Sequence, residues 1–344
     1  MSELRSMVVD VIERLCKKHN SNEQLEALEA GKWAQALWDD IEMQQFLAVA
    51  LPEHYGGAGG DIGDILAICR VVGYYAAPIP LQEHYMSNAL LTMLQEVPYE
   101  TRTTYAFEPL TLTQQCVSGT VYGVLWAQVA TQLVAIAKKE EVYYVVVLPL
   151  AASFQEPSTN LAYEPRTTVT FHDVTPLITR PIHREQFIAL QALVTAGSIA
   201  KITGTIEKVV ALSVQYSKER EQFGKPLHRF QLVQRHIAEL AGERAIMQTM
   251  LQQCELALEQ GDMNAIAYAR IRAEQAITTV TAAAHQLQAA MGMTYEYPLH
   301  YYTKRLWAWR DEDITARTWQ QYAAQQFLTS DASLWEMLTR GKQT

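Results

Sequence analysis

The sequence predicts an α+β protein laid out as a helical block, a β block and a second helical block. Two patterns support this. Apolar residues recur every three or four positions in both the first and the last parts of the chain, the period of amphipathic helices. From about residue 105 to about residue 183 the texture changes to short runs rich in Val, Tyr, Thr and Phe, separated by polar or Pro-containing turns. The chain has 344 residues, 49% hydrophobic and 19% charged, enough for two or three compact units with a sizeable core. The expected domains are 1–104, 105–183 and 184–344, with a barrel-like middle unit and a four-helix bundle at the end.

In the first block, Met7, Val8, Val11, Ile12 and Leu15 mark one helix. Ile62, Ile65, Leu66, Ile68, Cys69 and Val72 mark another, broken at Ala76-Ala-Pro-Ile-Pro80. A further helix is expected over Glu83–Leu94, ended by Pro98. Strand-like runs follow at Tyr105–Phe107, Cys116–Trp126, Leu133–Ala137, Tyr143–Leu148 and Thr167–Phe171. From Arg184 the helical period returns. One stripe runs from Leu190 to Leu212, a second from Leu232 to Leu251, and an Ala-rich third from Ala265 to Ala290. Such stripes are core faces.

The net charge of −9 and a pI near 5.5 argue against a nucleic-acid-binding surface, while leaving room for a local basic pocket. Cys16, Cys69, Cys116 and Cys254 are scattered, without metal-ligand or disulfide spacing, as in reduced cytoplasmic proteins. Charges interrupt the N-terminus too often for a signal peptide, and the run Val142–Ala152 is too short to span a bilayer. A soluble, cytoplasmic protein with no membrane or nucleic-acid partner is expected.

Several polar features carry no chemistry of their own. Leu51-Pro-Glu-His-Tyr-Gly-Gly-Ala-Gly-Gly60 has glycines but neither a preceding βαβ strand nor a following Gly-Lys-Ser/Thr, so it reads as a turn. His172-Asp173 and His183-Arg184 lack partners at defined spacing and read as solvated pairs. Ser198 has no Gly-x-Ser-x-Gly around it, which leaves a hydrolase elbow unsupported.

The most informative stretch is Tyr216–Gln234, which joins two long helices and holds Arg220, Gln222, Phe223, Gly224 and Gln231 within twelve residues. It resembles the Arg-x-Gln-Phe-Gly…Phe-Gln turn of the acyl-CoA dehydrogenase family. A second segment, Gln286-Leu-Gln-Ala-Ala-Met-Gly-Met-Thr-Tyr-Glu-Tyr-Pro298, resembles that family's Gln-x-x-Gly-Gly-x-Gly-x-x-x-Glu-Tyr-Pro. The loop at Leu51–Gly60 resembles its Pro-Glu-x-Tyr-Gly-Gly-x-Gly. The resemblance covers nearly the whole chain and implies that family's three-part fold. It also implies FAD, with Arg220, Gln222, Phe223, Leu227, Gln231, Gln286 and Ala290 at cofactor-contacting positions, serving a flavin held mainly by a neighbouring subunit. Arginine suits this role because its planar fork of donors matches phosphate oxygens.

The chain departs from the family in two places. Ala289 and Ala290 stand where glycines are usual, and Ala106-Phe-Glu-Pro-Leu-Thr-Leu-Thr113 lacks the Gly-Ser-Asp that ordinarily enters the β-domain. The implied reaction removes an α-proton from an acyl thioester with a carboxylate while the β-hydrogen leaves as hydride. Of the family's two locations for that carboxylate, the one on the helix before the Arg220 turn falls on Leu190, an aliphatic. The other falls on Glu312 or, second, Asp313, after Arg305-Leu-Trp-Ala-Trp-Arg-Asp-Glu312. A solvated acidic cluster of Asp311, Glu312 and Asp313 is the alternative. The resemblance further implies an acyl-CoA or acyl-carrier thioester as substrate and an electron-transfer flavoprotein as acceptor. It implies an oligomer, either of this chain or with a homologous subunit, and leaves open that this chain is the non-catalytic member of such a pair.

Overall fold

The structure, a computed structural model, describes residues 3–19, 22–312, 314–329 and 335. Five helices come first: α1 (Glu3–His19), α2 (Asn22–Glu29), α3 (Gln35–Met43), α4 (Ile62–Tyr75) and α5 (Leu81–Met93). Val8, Ile12, Leu15 and Cys16 form the buried face of α1, which packs on α4. The start of α4 is fixed by a reciprocal capping pair. Asp61 accepts the Asp64 N–H and Asp64 accepts the Asp61 N–H, both at 2.9 Å. The glycine loop before it is a turn, as expected. A Cβ on Gly57 would lie 2.0 Å from the Leu51 carbonyl oxygen, so the chain doubles back where only glycine fits. Helix α5 begins two residues before the expected Glu83 and is buried from Leu81 to Leu91.

Seven strands follow: β1 (Thr103–Thr113), β2 (Cys116–Leu125), β3 (Gln132–Lys139), β4 (Val142–Pro149), β5 (Phe154–Thr159), β6 (Pro165–Val174) and β7 (Ile178–Ile182). They form one sheet in the order β5-β6-β2-β1-β3-β4-β7, with β1 and β3 parallel and the other pairs antiparallel. The order runs from β5 at one end to β7 at the other. Along β4 the residues alternate between faces. Val146 and Leu148 join a core within the sheet unit, while Val145 and Val147 face the main core beside the helices. Strands β5 and β7 were not evident from the sequence, because edge strands with exposed faces carry little apolar alternation.

The last part holds α6 (Arg184–Glu219), a small hairpin of β8 (Glu221–Gln222) and β9 (Lys225–Pro226), and α7 (Gln231–Gln260). Helices α8 (Met263–Gln288), α9 (Leu299–Arg310) and α10 (Ala316–Thr329) complete it. Helix α6 is the axis of the molecule, contacting α4, α5, α7, α8 and α9. Glycines let α4 approach it closely. A Cβ on Gly73 would sit 1.9 Å from the Lys201 carbonyl oxygen, and one on Gly204 would sit 1.9 Å from that of Arg70. By length and composition alone α6 is apolar enough to cross a membrane, but 78% of its most apolar window is buried against the rest of the chain, as in a core helix. Helix α10 is tied to α6 by the Trp319 indole N–H, which donates to Thr195 Oγ1 at 3.0 Å.

Candidate active site

The loop between α9 and α10 carries Glu312, and one buried arginine fixes its backbone. Arg270 of α8 donates to the carbonyl oxygens of Trp309 (3.3 Å), Arg310 (2.8 Å) and Ile314 (3.2 Å). It thereby satisfies carbonyls that the end of α9 leaves without helical partners. Asp313, the second candidate base, lies outside the described residues.

The Glu312 side chain is partly buried and accepts a hydrogen bond from Arg166 at the start of β6. Arg166 in turn donates to Glu164 Oε2 at 3.3 Å and to the Pro165 carbonyl at 2.8 Å. Glu164 also receives the Trp309 indole N–H at 2.7 Å and lies 3.3 Å from Arg305 Nε. Burial alone would push the Glu164 carboxyl upward. Arg305, Arg166, Lys201 and the Trp309 N–H together outweigh it and bring the group down to about 2. On the far side of Trp309, the Lys201 ammonium sits 4.4 Å from the ring centroid and 3.7 Å from Glu83. A cavity of about 10 Å³, room for one water, lies there beside Gln82, whose buried amide has no hydrogen-bond partner among the described residues. A connected set of six charged side chains thus runs inward from Glu312 to Glu83.

Glu312 opens onto a groove. One depression of about 310 Å³ is lined by Glu312, Arg166, Thr159, Asn160 and Tyr122 to Leu125 of β2, Val124 excepted. An adjoining one of about 230 Å³ shares Tyr122, Gly123 and Leu125 and adds Tyr105, Phe107 and Glu108 of β1 and Ile314 of the loop. The Phe107-Glu108 segment singled out in the sequence therefore faces the same groove as the Glu312 loop. Glu108 accepts the Tyr122 backbone N–H at 3.3 Å, closing one end.

The cofactor-contact candidates are gathered elsewhere, at one end of the helical bundle. The turn after α6 is a hairpin. Phe223 and Gly224 both have positive φ, +53° and +74°, the backbone of a type I′ turn. Leu227 N–H closes it onto the Arg220 carbonyl at 2.9 Å. Arg220, Gln222 and Gln231 are exposed, Leu227 is half-buried, and the Phe223 ring is 90% exposed. Among the described residues Arg220 makes no ion pair. At the same end, Gln288 of α8 donates to Ser213 of α6 at 3.4 Å, and Gln286 and Ala290 are exposed. An exposed guanidinium, an open aromatic face and exposed amides are groups of the kind that suit a phosphate and an adenine. Ala289, where a glycine is usual, has φ +49° and ψ −136°, a conformation strained for any residue with a Cβ.

The remaining sequence candidates take structural places. Leu190 is buried within α6. His172 is exposed on β6, and Asp173 pairs with Ser118 Oγ at 2.8 Å. The His183 backbone N–H donates to Gln186 at the start of α6. What the sequence reading missed is the charge network behind Glu312. The one signal that could have found it is Lys201, a lone charge in the apolar run Ile199-Ala-Lys-Ile202; Glu164 lies just before β6 and Arg166 at its start, in a polar stretch that gave no sign of burial.

This fold, a helical N-domain, a β-sheet middle domain and a helical C-domain around a groove, is the acyl-CoA dehydrogenase fold. Two sequence models of that family match the chain: the acyl-CoA dehydrogenase N-terminal domain over residues 2–97 and its C-terminal domain over residues 184–309. The chain belongs to the acyl-CoA dehydrogenase family. It is 25% identical to the acyl-CoA dehydrogenase IpdE2 of Mycolicibacterium smegmatis over 317 residues, covering 89% of this chain and 93% of that protein. Among solved structures, the ChsE4-ChsE5 complex from Mycobacterium tuberculosis superposes with a TM-score of 0.86 at 18% identity, over 96% of this chain and 99% of that one. Butyryl-CoA dehydrogenase from Megasphaera elsdenii superposes at 0.83 with 16% identity, over 95% and 99%.

Proposed function

We propose that this chain is a subunit of an FAD-dependent acyl-thioester dehydrogenase that introduces an α,β double bond into an acyl-CoA or acyl-carrier substrate. The observation behind this is the placement of Glu312, on a backbone pinned by Arg270, at the edge of a groove between the sheet and the C-terminal helices. Glu312 leaves Arg166 to take the α-proton. Glu108, Tyr122 and Ile314 line the space beside it, and Trp309 shields the charges behind it from water. FAD, when bound, supplies the hydride acceptor. Arg220, Gln222, Phe223, Leu227, Gln231, Gln286 and Ala290 would hold its phosphate arm and adenine from a second subunit. Helix α7 leaves Leu232 and Leu256 exposed and buries only Leu240, Met247, Cys254 and Ala257, an open face that fits an oligomer assembled through these helices. The electron acceptor is an electron-transfer flavoprotein. Four unpaired cysteines fit a cytoplasmic location.

A second reading is that the chain is the supporting member of a pair of unlike subunits. The strained Ala289 and the engagement of Glu312 with Arg166 favour it. The visible spectrum of the purified protein, with and without a reactive acyl thioester, separates the two. Flavin bleached by substrate in a preparation of this chain alone supports the first. A colourless protein that gains flavin only with a homologous partner, and whose complex is indifferent to Glu312→Gln, supports the second.

A further inference from the structure

We propose that Glu26 and Glu29 of α2 position residues 286–298 by holding the hydroxyls of Tyr295 and Tyr301. Helix α2 then straps the wall of the groove to the cofactor-contact end of the bundle. The inference rests on the proposed role of Gln286 and Ala290 in cofactor contact and adds the residues that place them.

Helix α2 acts through two stripes. Leu25 and Leu28, three apart and buried, form the inner one. Leu25 joins the main core, and Leu28 shares a small core with Leu125 and Trp126 at the end of β2. Leu125 also lines both depressions of the groove. One position along, Glu26 and Glu29 repeat the spacing of three, which puts both carboxylates on one side of the helix. Tyr301 Oη donates to Glu26 Oε1 and Tyr295 Oη to Glu29 Oε2, both at 3.0 Å. The Lys304 ammonium, 3.5 Å from Glu29 Oε1, also holds the second carboxylate. Both bonds end on a charged acceptor, which makes them stronger than neutral ones.

The two tyrosines are presented together by His300. Its ring centroid lies 3.9 Å from that of Tyr301 and 5.0 Å from that of Tyr295. Glu29 pushes the Tyr295 hydroxyl up from its ordinary value, and burial followed by Glu26 does the same for Tyr301, so both donors keep their protons. The segment between α8 and α9 needs such ties. It is a 3₁₀ turn over Ala289–Met293 followed by turns and bends, and it starts at the strained Ala289. Two tyrosine hydroxyls reach from it to other elements. Tyr297 donates to the Leu212 carbonyl of α6 at 2.8 Å, and Tyr295 donates to Glu29. The first fixes the segment to the helix that ends at the Arg220 hairpin. The second fixes it to α2, and Tyr301 fastens the start of α9 to the same helix.

Hydrogen exchange of the purified protein tests the positioning directly, with the amides of α4 as an internal reference for global opening. Glu26→Ala/Glu29→Ala should speed exchange over residues 289–298 by about three- to tenfold relative to α4. Glu26→Gln/Glu29→Gln keeps a neutral acceptor at each position and should show a smaller gain. Tyr295→Phe removes a contact already lost in Glu29→Ala, so adding it to that variant should change little; effects that add in full overturn the pairing. Unchanged exchange over 289–298 in Glu26→Ala/Glu29→Ala overturns the proposal, as does an acceleration that α4 shares equally. Flavin affinity is read separately, by titrating FAD into the same proteins at matched oligomeric state. A loss of affinity that tracks the faster exchange across the variants supports the whole inference. Faster exchange with unchanged flavin affinity supports the strap and removes Gln286 and Ala290 from the cofactor site, so failure of that reading is told apart from failure of the positioning.

Discussion

The Trp309 indole N–H donates to Glu164 Oε2 across 2.7 Å, while the opposite side of the network places the Lys201 ammonium 4.4 Å from the centre of the same ring. One tryptophan thus separates and satisfies two buried charges of opposite sign. Glu164 is the hub, since Arg166 and Arg305 also depend on it. Glu164→Gln leaves those two cations short of a counter-charge and should destabilise the fold by about 3–5 kcal/mol, read as a lower denaturant midpoint with an unchanged slope.

The same residue gives a pH dependence. In the folded chain Glu164 titrates at about 2, against about 4.3 in an unfolded chain. A depressed carboxylate stabilises the fold fully above the unfolded value and loses that contribution as pH falls through the folded one. The stability gap between wild type and Glu164→Gln should therefore be constant above about pH 5 and narrow between about pH 4.3 and 2. A gap that stays constant down to the acid limit would contradict the assignment. Thermal melts of both proteins across that range decide it.

Arg270 is expected to matter more for the loop than its distance from the groove implies. Arg270→Met keeps much of the buried stem and removes three charge-assisted bonds to Trp309, Arg310 and Ile314. The loss should be about 2–4 kcal/mol. Hydrogen exchange should accelerate over residues 309–315 beyond the change in global stability. Equal protection of that loop in both proteins would mean that it is held by something other than Arg270.

The helical order, the middle sheet and the family could be seen in the sequence because they depend on local signals: a 3.6-residue period, β-branched runs, and two loop motifs. The Arg220 and Gln286 segments were visible for the same reason, since each is contiguous. The network behind Glu312 was not. Glu164 and Glu312 are 148 positions apart and meet through Arg166 only once β6 is laid beside the α9–α10 loop. Nothing local to Arg166 separates it from a solvated arginine. Lys201, passed over in the sequence, did carry a local signal, because a charge inside an apolar helix stripe must find a buried partner, and Glu83 is that partner. Strands β5 and β7 were not legible because they present mostly exposed residues, leaving no apolar pattern to count.

Ala289 carries φ +49° and ψ −136° where α8 ends. Glycine populates that region without a Cβ clash, at the cost of a more flexible unfolded chain. The strain relieved, of order 1–3 kcal/mol, exceeds that entropy term, so Ala289→Gly should stabilise the protein by about 1 kcal/mol. The neighbouring Ala290 does not have a positive φ, and Ala290→Gly should be neutral or slightly destabilising. Chemical denaturation of the two variants gives the comparison. A stabilising Ala290→Gly beside a neutral Ala289→Gly would reverse the assignment of strain.

Arg220 is the residue at which stability and cofactor binding should separate most cleanly. Its carbonyl closes the β8–β9 hairpin through Leu227 N–H, a contact that any residue supplies, while its exposed guanidinium has no ion pair among the described residues. Arg220→Ala should therefore leave the melting temperature within experimental scatter. If the guanidinium serves the phosphates of FAD held by a second subunit, the same change removes a charge-assisted contact. That contact is worth about 1.5–3 kcal/mol, a loss of roughly ten- to a hundredfold in flavin affinity. Arg220→Lys keeps the charge but not the fork and should fall between the two. The titration is made at matched oligomeric state, checked by sedimentation, because a shift toward monomer would lower flavin affinity for a different reason. Equal flavin affinity of wild type and Arg220→Ala in matched oligomers would remove the hairpin from the cofactor site. The 90% exposure of the Phe223 ring beside it would then have to be explained by some other contact between subunits.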